Sequence, residues 1–381
     1  MQIPFNSSVR SSLGVEWELQ LVSPETRALT SGASEVLHEL SPGGEHPKAK
    51  HELLESTIEV ITGICSTVRE ATEDLGGTIS ELVPLLEKRG LAMMCSGTHP
   101  TTHWATQTIS PNPRYAKLID DMQILGRQLQ IFGVHVHVGV RSADKVIPIV
   151  NALSAYIPHF LALSASSPYS LGHDTGLASS RSKIFESLPT AGLPYQLDGW
   201  SQFESYMETL IKTGTIASIK EVWWDIRPHP DFGTVELRIC DGLPTLHEVG
   251  MVAALSQCLV DMLDREIDKG YTLPCPKGWV VRENKWRAAR HGLDAEIIRD
   301  DESTVPMREA LLELCHDLTP AAIRLGCAQE LYRIEEIVAI GSSYTRQRAV
   351  AATAGGDLTA VVDSLLAEFA AGRPQPIGAQ G

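Results

Sequence analysis

The stretch Gly14-Val15-Glu16-Trp17-Glu18-Leu19-Gln20-Leu21-Val22 alternates along its length, with Glu16, Glu18 and Gln20 on one side and Val15, Trp17, Leu19 and Leu21 on the other. Side chains of a β-strand point to opposite faces in turn, so a period of two predicts a strand with one apolar and one polar face. Gly133–Val140 (GVHVHVGV) repeats the division, setting His135 and His137 against Val134, Val136, Val138 and Val140. Gly233–Asp241 (GTVELRICD) sets Thr234, Glu236, Arg238 and Cys240 against Val235, Leu237 and Ile239. Leu53–Thr62 (LLESTIEVIT) supports two readings. As a strand it aligns Glu55, Thr57 and Glu59; as a helix it also brings Glu55 and Glu59 together, four residues apart.

Helices are signalled around these strands. Ser201 with Glu204, and Thr245 with Glu248, form S/T-x-x-E capping boxes ahead of apolar-periodic runs. Ser66–Arg89, Pro113–Phe132, Ala143–Ser164, Met307–Leu318 and Ala321–Ile340 also read as helices. The apolar run Ile147–Ala165 contains Asn151, Pro158 and His159, which fits a buried helix and not a membrane span. No segment divides the 381 residues into distinct compositions, so residues 1–368 are expected to form one catalytic domain with a helical C-terminal region. Residues 369–381 are expected to be a disordered tail.

Charge narrows the function. Lys and Arg number 32 against 47 Asp and Glu, a formal net charge of −15. Such a surface repels nucleic-acid phosphates and anionic lipid, so neither partner is expected. The 7 cysteines are scattered without CxxC spacing, and Met1–Leu13 has no apolar leader, which together fit a reducing cytoplasm.

The polar strand faces carry Glu16, Glu18, Glu55, Glu59, Glu236, His135, His137 and Arg238 where a wetted sheet ordinarily shows Thr, Ser and mixed charges. On neighbouring strands these carboxylates repel by several kcal/mol together at an effective dielectric of about 20. Protons or divalent cations must relieve that repulsion, and an oxygen-rich set with an occasional imidazole favours Mg²⁺ or Mn²⁺. Divalent metals with positioned arginines suit phosphoryl transfer. A Walker-type loop, a G-x-G-x-x-G turn and a G-x-S-x-G elbow are all absent from the sequence. Two other readings stay open: a metal-dependent hydrolase, because H-x-H strands also bind zinc in parallel barrels, and a non-catalytic nucleotide-binding relative.

Several runs are specific enough to compare with known families. Gly14-Val15-Glu16-Trp17-Glu18, His51-Glu52-Leu53-Leu54-Glu55-Ser56-Thr57, Gly97-Thr98-His99-Pro100, His135-Val136-His137-Val138-Gly139 and Ala178-Ser179-Ser180-Arg181 occur in that order. Trp224-Asp225-Ile226-Arg227-Pro228 then precedes Phe232-Gly233-Thr234-Val235-Glu236-Leu237-Arg238. The set resembles the glutamate–cysteine ligase type 2 family of the glutamine synthetase-like superfamily, over about Ser12 to His291. The resemblance implies an α+β fold: a curved antiparallel sheet, helices on its outer face, and ATP with Mg²⁺ (or Mn²⁺) on its polar concave face. It implies an ATP-dependent carboxylate–amine ligase that phosphorylates a carboxylate, by analogy the γ-carboxylate of glutamate. An amine such as cysteine then displaces the phosphate. It implies Glu16, Glu18, Glu55, Glu59, His135 and Glu236 as metal ligands, and Glu236, Arg238 and Arg181 as catalytic residues. Arg238 would neutralise the transferred phosphoryl group, while Arg181, Arg227 and Arg238 would contact ATP phosphates or a substrate carboxylate. It further implies substrate contacts from Asn284, Arg287 and Arg290, a lid around Asp174, and a homodimer or larger assembly. Trp223 and Trp224 are read as core residues.

Overall fold

The computed structural model describes residues 2–375. Its main sheet runs in the order β2-β3-β1-β5-β9-β8, with β1 Leu13–Val22, β2 Ala49–His51, β3 Thr57–Ile61, β5 Val134–Gly139, β8 Ile226–His229 and β9 Thr234–Leu237. A seventh strand, β4 (Ala92–Met94), pairs with the end of β1 that β5 leaves free. Every pairing is antiparallel. That removes the parallel barrel on which the hydrolase reading depended. Two short hairpins stand apart: β6 (Tyr169–Ser170) with β7 (His173–Asp174), and β10 (Glu296–Ile298) with β11 (Thr304–Pro306).

The alternation in β1, β5 and β9 decides which face is dry. Val15, Trp17, Leu19, Val136, Val138, Val235 and Leu237 are each at most 1% exposed. They share one core with Val252, Leu255 and Leu259 of the helix Leu246–Asp268, and with Ile149 and Leu153 of the helix Ala143–Leu153. That layer of helices buries one face only, so the other face of the sheet can carry charge. Both Ala143–Ser164 and Leu246–Asp268 are apolar and long enough to cross a membrane, yet most of each lies inside the protein.

Several elements differ from the sequence reading, and each difference has a local cause. Leu53–Thr62 splits: Thr57–Ile61 is strand, while Leu53–Ser56 turns ahead of it. The expected helix Ala143–Ser164 breaks into a 3-10 turn at Ser154–Tyr156, two residues before Pro158, whose ring cannot continue the i→i−4 ladder. Pro113–Phe132 ends as a helix at Met122 and resumes only for Ile124–Arg127, because Gln123 takes a positive φ of 51°. Met307–Leu325 runs through Pro320, and a left-handed Gly326 separates it from Ala328–Ile340. Of the two capping boxes, Thr245 forms its cap, accepting from the Glu248 N–H at 3.2 Å. Ser201 does not: the helix starts at Trp200, and Glu204 accepts from the Ile3 N–H instead. Residues 369–371, expected to lie in the tail, are helical. The last helix reaches Ala371 and sets Phe369 against the Trp17 ring, 5.5 Å between centroids. Residues 376–381 lie outside the described residues.

Candidate active site

Register brings the polar residues into line. Glu59 of β3 faces Glu18 of β1, Glu16 faces His135 of β5, His137 faces Glu236 of β9, and Glu236 faces Arg227 of β8. A continuous polar row therefore crosses five strands on the face opposite the core.

Glu16 sits at the centre of that row. Its two carboxylate oxygens lie 3.1 Å from His135 Nδ1 and 3.2 Å from His137 Nε2. Burial alone would raise its pKa, but the hydrogen bonds from the two imidazoles outweigh this and hold the carboxyl well below its usual range. His137 Nδ1 is fixed in turn by the Thr234 hydroxyl at 3.0 Å. On the β9 side, Glu236 accepts from Arg227 Nε at 2.7 Å and Nη2 at 3.2 Å, and from Arg238 Nη1. Burial again opposes ionisation, and here the two guanidiniums prevail, so Glu236 is held far below its ordinary value. His135 is the counterpart: burial, then Arg238, press it down to about 4, so its ring stays neutral.

At the other end the balance reverses. Glu18, Glu52 and Glu59 converge without a bound Lys or Arg side chain among the described residues, their donor atoms within 4.8 Å of one another. Burial, then repulsion from Glu52, push Glu18 up to about 8. Burial, then Glu16 and Glu52, push Glu59 well above its usual value, and burial also raises Glu52. Two further trios meet the same 4.8 Å spacing, Glu16–Glu59–His135 and Glu16–His137–Glu236. Three overlapping sets of carboxylate oxygens with at most one imidazole each are donor sets for hard divalent cations. The shortage of cations at Glu18, Glu52 and Glu59 is the observation that fits a metal there.

Not every expected residue joins. Glu55 is turned away: its carboxylate accepts from the Ser34 backbone N–H at 3.2 Å and hydroxyl at 2.5 Å, at the start of the helix Ala33–Leu40. Glu52 stands in its place. Both lie in the same HELLE run, and the chain turns there, so strand or helix periodicity could not choose between them. Arg227 is locked to Glu236 and to the Lys220 and Val222 carbonyls, which leaves it as a support for Glu236. Arg181 is 3% exposed and, among the described residues, its guanidinium donates only to the Ile239 and Arg238 carbonyls. A Cβ on Gly133 would lie 2.3 Å from Arg181 Nη2, so glycine is what lets this arginine pass beside β5. Asn284 exchanges two 2.8 Å bonds with Ile298, Arg287 pairs with Glu283, and Arg290 donates to the Gly176 carbonyl. All three are tied within the protein. Asp174, in the β6–β7 hairpin, accepts from Arg348 at 2.9 Å.

A cavity of about 330 Å³ opens beside the carboxylate end of the row. Glu18, Glu52, His135, Arg181 and Arg238 line it from the row, Arg114, Lys117, Asp121 and Glu221 add charge, and Trp223 stands among its apolar side chains. Trp224 is buried against Tyr206 and Phe203 as expected, but Trp223 faces the cavity. Sequence patterning gave no signal for this wall, because its residues come from loops and separate helices.

Residues 12–364 match the sequence profile of glutamate–cysteine ligase family 2. The chain belongs to that family. A protein of Frankia alni provisionally named glutamate–cysteine ligase 2-1 is 63% identical over 382 residues, covering 99% of this chain and 100% of its own. A Thermobifida fusca protein provisionally named glutamate–cysteine ligase 2 is 57% identical, covering 98% and 94%. In fold, the chain resembles a Francisella tularensis glutamate–cysteine ligase in complex with AMP, with a TM-score of 0.71, 13% identity and coverage of 98% and 91%. It also resembles the Pup ligase PafA in complex with Pup, with a TM-score of 0.53, 12% identity and coverage of 94% and 72%. The fold is thus glutamine synthetase-like, and the family member is a carboxylate–amine ligase.

Proposed function

We propose that the enzyme joins the γ-carboxylate of glutamate to an amine, with ATP as phosphoryl donor and Mg²⁺ at the carboxylate–imidazole trios. The observation that carries this reading is the row of three overlapping donor trios ending at Arg238, which is already oriented by Glu236. Glu16, Glu18, Glu52, Glu59, His135, His137 and Glu236 would hold the ions. When bound, divalent ions would offset the negative charge of the phosphate oxygens.

The chain's own residues do the remainder. Arg238, held by Glu236, presents a fixed guanidinium to the phosphoryl group as charge spreads over its oxygens. Arg227 holds Glu236 from the other side and so keeps it ionised. A carboxylate oxygen of the substrate attacks the γ-phosphorus and ADP leaves. The amine nitrogen then attacks the acyl carbon, the C–N bond forms, the C–O bond to phosphate breaks, and the amine's surplus proton passes to water. Arg181, buried beside the cavity without a carboxylate partner among the described residues, is the group to hold a substrate carboxylate. ATP as substrate and seven free cysteines suit a cytoplasmic setting.

Phosphate release tests the reading. With Mg·ATP and glutamate, release should require an added amine and should disappear in Glu236→Gln. Release by the variant at the wild-type rate would remove the proposed role of the row.

A further inference from the structure

We infer that Asp241 is a positioning residue for the carboxylate substrate: it fixes the backbone that carries Arg181, and so sets how tightly glutamate is held. This rests on the ligase reading, in which Arg181 holds a substrate carboxylate. Asp241 closes the run that carries Glu236 and Arg238, and it pairs with Gly133 as an isolated bridge. It is 0% exposed. A buried carboxylate is unfavourable unless hydrogen bonds satisfy it. Its oxygens accept from the Ser166 N–H at 3.0 Å, the Ser167 hydroxyl at 2.6 Å and the Ser179 hydroxyl at 2.8 Å. Gly97 leaves room for it, since a Cβ there would lie 2.7 Å from Asp241 Oδ2.

The two serine hydroxyls pass this hold on to Arg181. Ser167 Oγ accepts from the Arg181 N–H at 3.1 Å, and Ser179 Oγ accepts from the Ser182 N–H at 3.3 Å. Both N–H groups open the short helix Arg181–Phe185, where no carbonyl of the helix can reach them. A hydroxyl has one proton, and here each donates it to Asp241, so each oxygen faces the helix as an acceptor. The tip of Arg181 is tied to the same run, through the Ile239 and Arg238 carbonyls. Asp241 thus anchors the root of Arg181 to the run that receives its tip. Among the described residues no ion pair joins the two side chains, so Asp241 acts through Ser167 and Ser179. Its charge also faces Arg181, which is first among the groups that oppose the effect of burial on its pKa. An amide at this position keeps the size and one accepting oxygen but brings two N–H donors. A serine hydroxyl facing those donors must send its proton elsewhere in a buried site, and the start of the helix loosens. Small shifts in a substrate-holding group lose affinity steeply.

The test is a double-mutant cycle read by calorimetric titration of glutamate, with Mg²⁺ and a non-hydrolysable ATP analogue present. The variants are Asp241→Asn, Arg181→Met and the two together, and thermal midpoints verify that each folds. Ser167→Ala, which removes one link and keeps the carboxylate, runs through the same cycle and replaces Asp241→Asn if that variant does not fold. Asp241→Asn and Ser167→Ala should each weaken glutamate binding about 10-fold in wild type, and less than about 2-fold in Arg181→Met. A merely structural role lowers affinity equally in both backgrounds, and that result overturns the inference while the role of Arg181 stands. An unchanged glutamate Kd in Asp241→Asn and Ser167→Ala does the same. If Arg181→Met itself leaves the Kd unchanged, the role of Arg181 falls with the inference. Wild type that binds no glutamate overturns both the glutamate reading and the inference.

Discussion

Glu236 shows how one side chain can be both costly and necessary. It is 1% exposed and ionised between two arginines, so removing its charge strands both guanidiniums in a buried site. Breaking a buried pair in this way costs about 3–5 kcal/mol. Glu236→Gln is therefore expected to lower the thermal midpoint as well as reduce kcat by about 10²-fold or more. Arg227→Lys, which keeps a charge but loses the two-pronged grip, should reduce kcat less than Glu236→Gln does, in the same phosphate-release assay. A sharper comparison sets two neighbours against each other. Glu52→Gln should abolish the thermal stabilisation by Mg·ATP, because Glu52 belongs to the Glu18–Glu59 trio. Glu55→Ala should keep that stabilisation and cost about 1 kcal/mol, the worth of its bond to the start of the helix at Ala33. The opposite ranking would return the ligand role to Glu55. At this scale Glu16, Glu18, His135, Glu236 and Arg238 were legible, since strand alternation points them to one face. Glu52 was not, because it lies in a turn where no periodicity operates.

Elements carry the site by register more than by sequence proximity. Glu16 meets His135 only because β1 and β5 pair with Trp17 opposite Val134; a slip of one residue in β1 would turn Glu16 into the helix layer, away from His135. The hydrophobic alternation of both strands fixes that register, which is why the sheet could be read from the sequence. Gly133, immediately before β5, is the weak point. Gly133→Ala places a Cβ 2.3 Å from Arg181 Nη2 and 3.2 Å from the Cys240 carbonyl. Arg181 must then move, so the substrate KM should rise several-fold or more while Mg²⁺ binding by calorimetry changes little. An unchanged KM would separate Arg181 from substrate binding. The helices were less legible than the strands. Pro158 and Gln123 interrupt runs that look continuous by apolar spacing, and Ser201 satisfies a capping pattern that Glu204 abandons for Ile3. At Thr245 the same pattern holds because Glu248 is also fixed by Arg346 at 2.9 Å.

For the whole molecule, the carboxylate end of the row links stability to pH. Glu18 is lifted from 4.5 to about 8, so between those values the folded chain holds a proton that the unfolded chain has released. Stability that depends on this proton is lost as pH rises. His135, depressed from 6.5 to about 4, acts in the opposite sense, but its contribution is essentially complete above 6.5. The metal-free protein should therefore show a falling thermal midpoint from about pH 6.5 to 8, and saturating Mg²⁺ should remove most of that fall. A midpoint that rises over this interval without metal would contradict the assignment of Glu18. The central claim, that divalent cations relieve the repulsion along the row, is met most directly by anomalous diffraction from crystals grown with Mn²⁺ and an ATP analogue. Peaks are expected within coordination distance of Glu18, Glu52 and Glu59, and of Glu16, His137 and Glu236. A map with nucleotide present and no peak at either trio would contradict it.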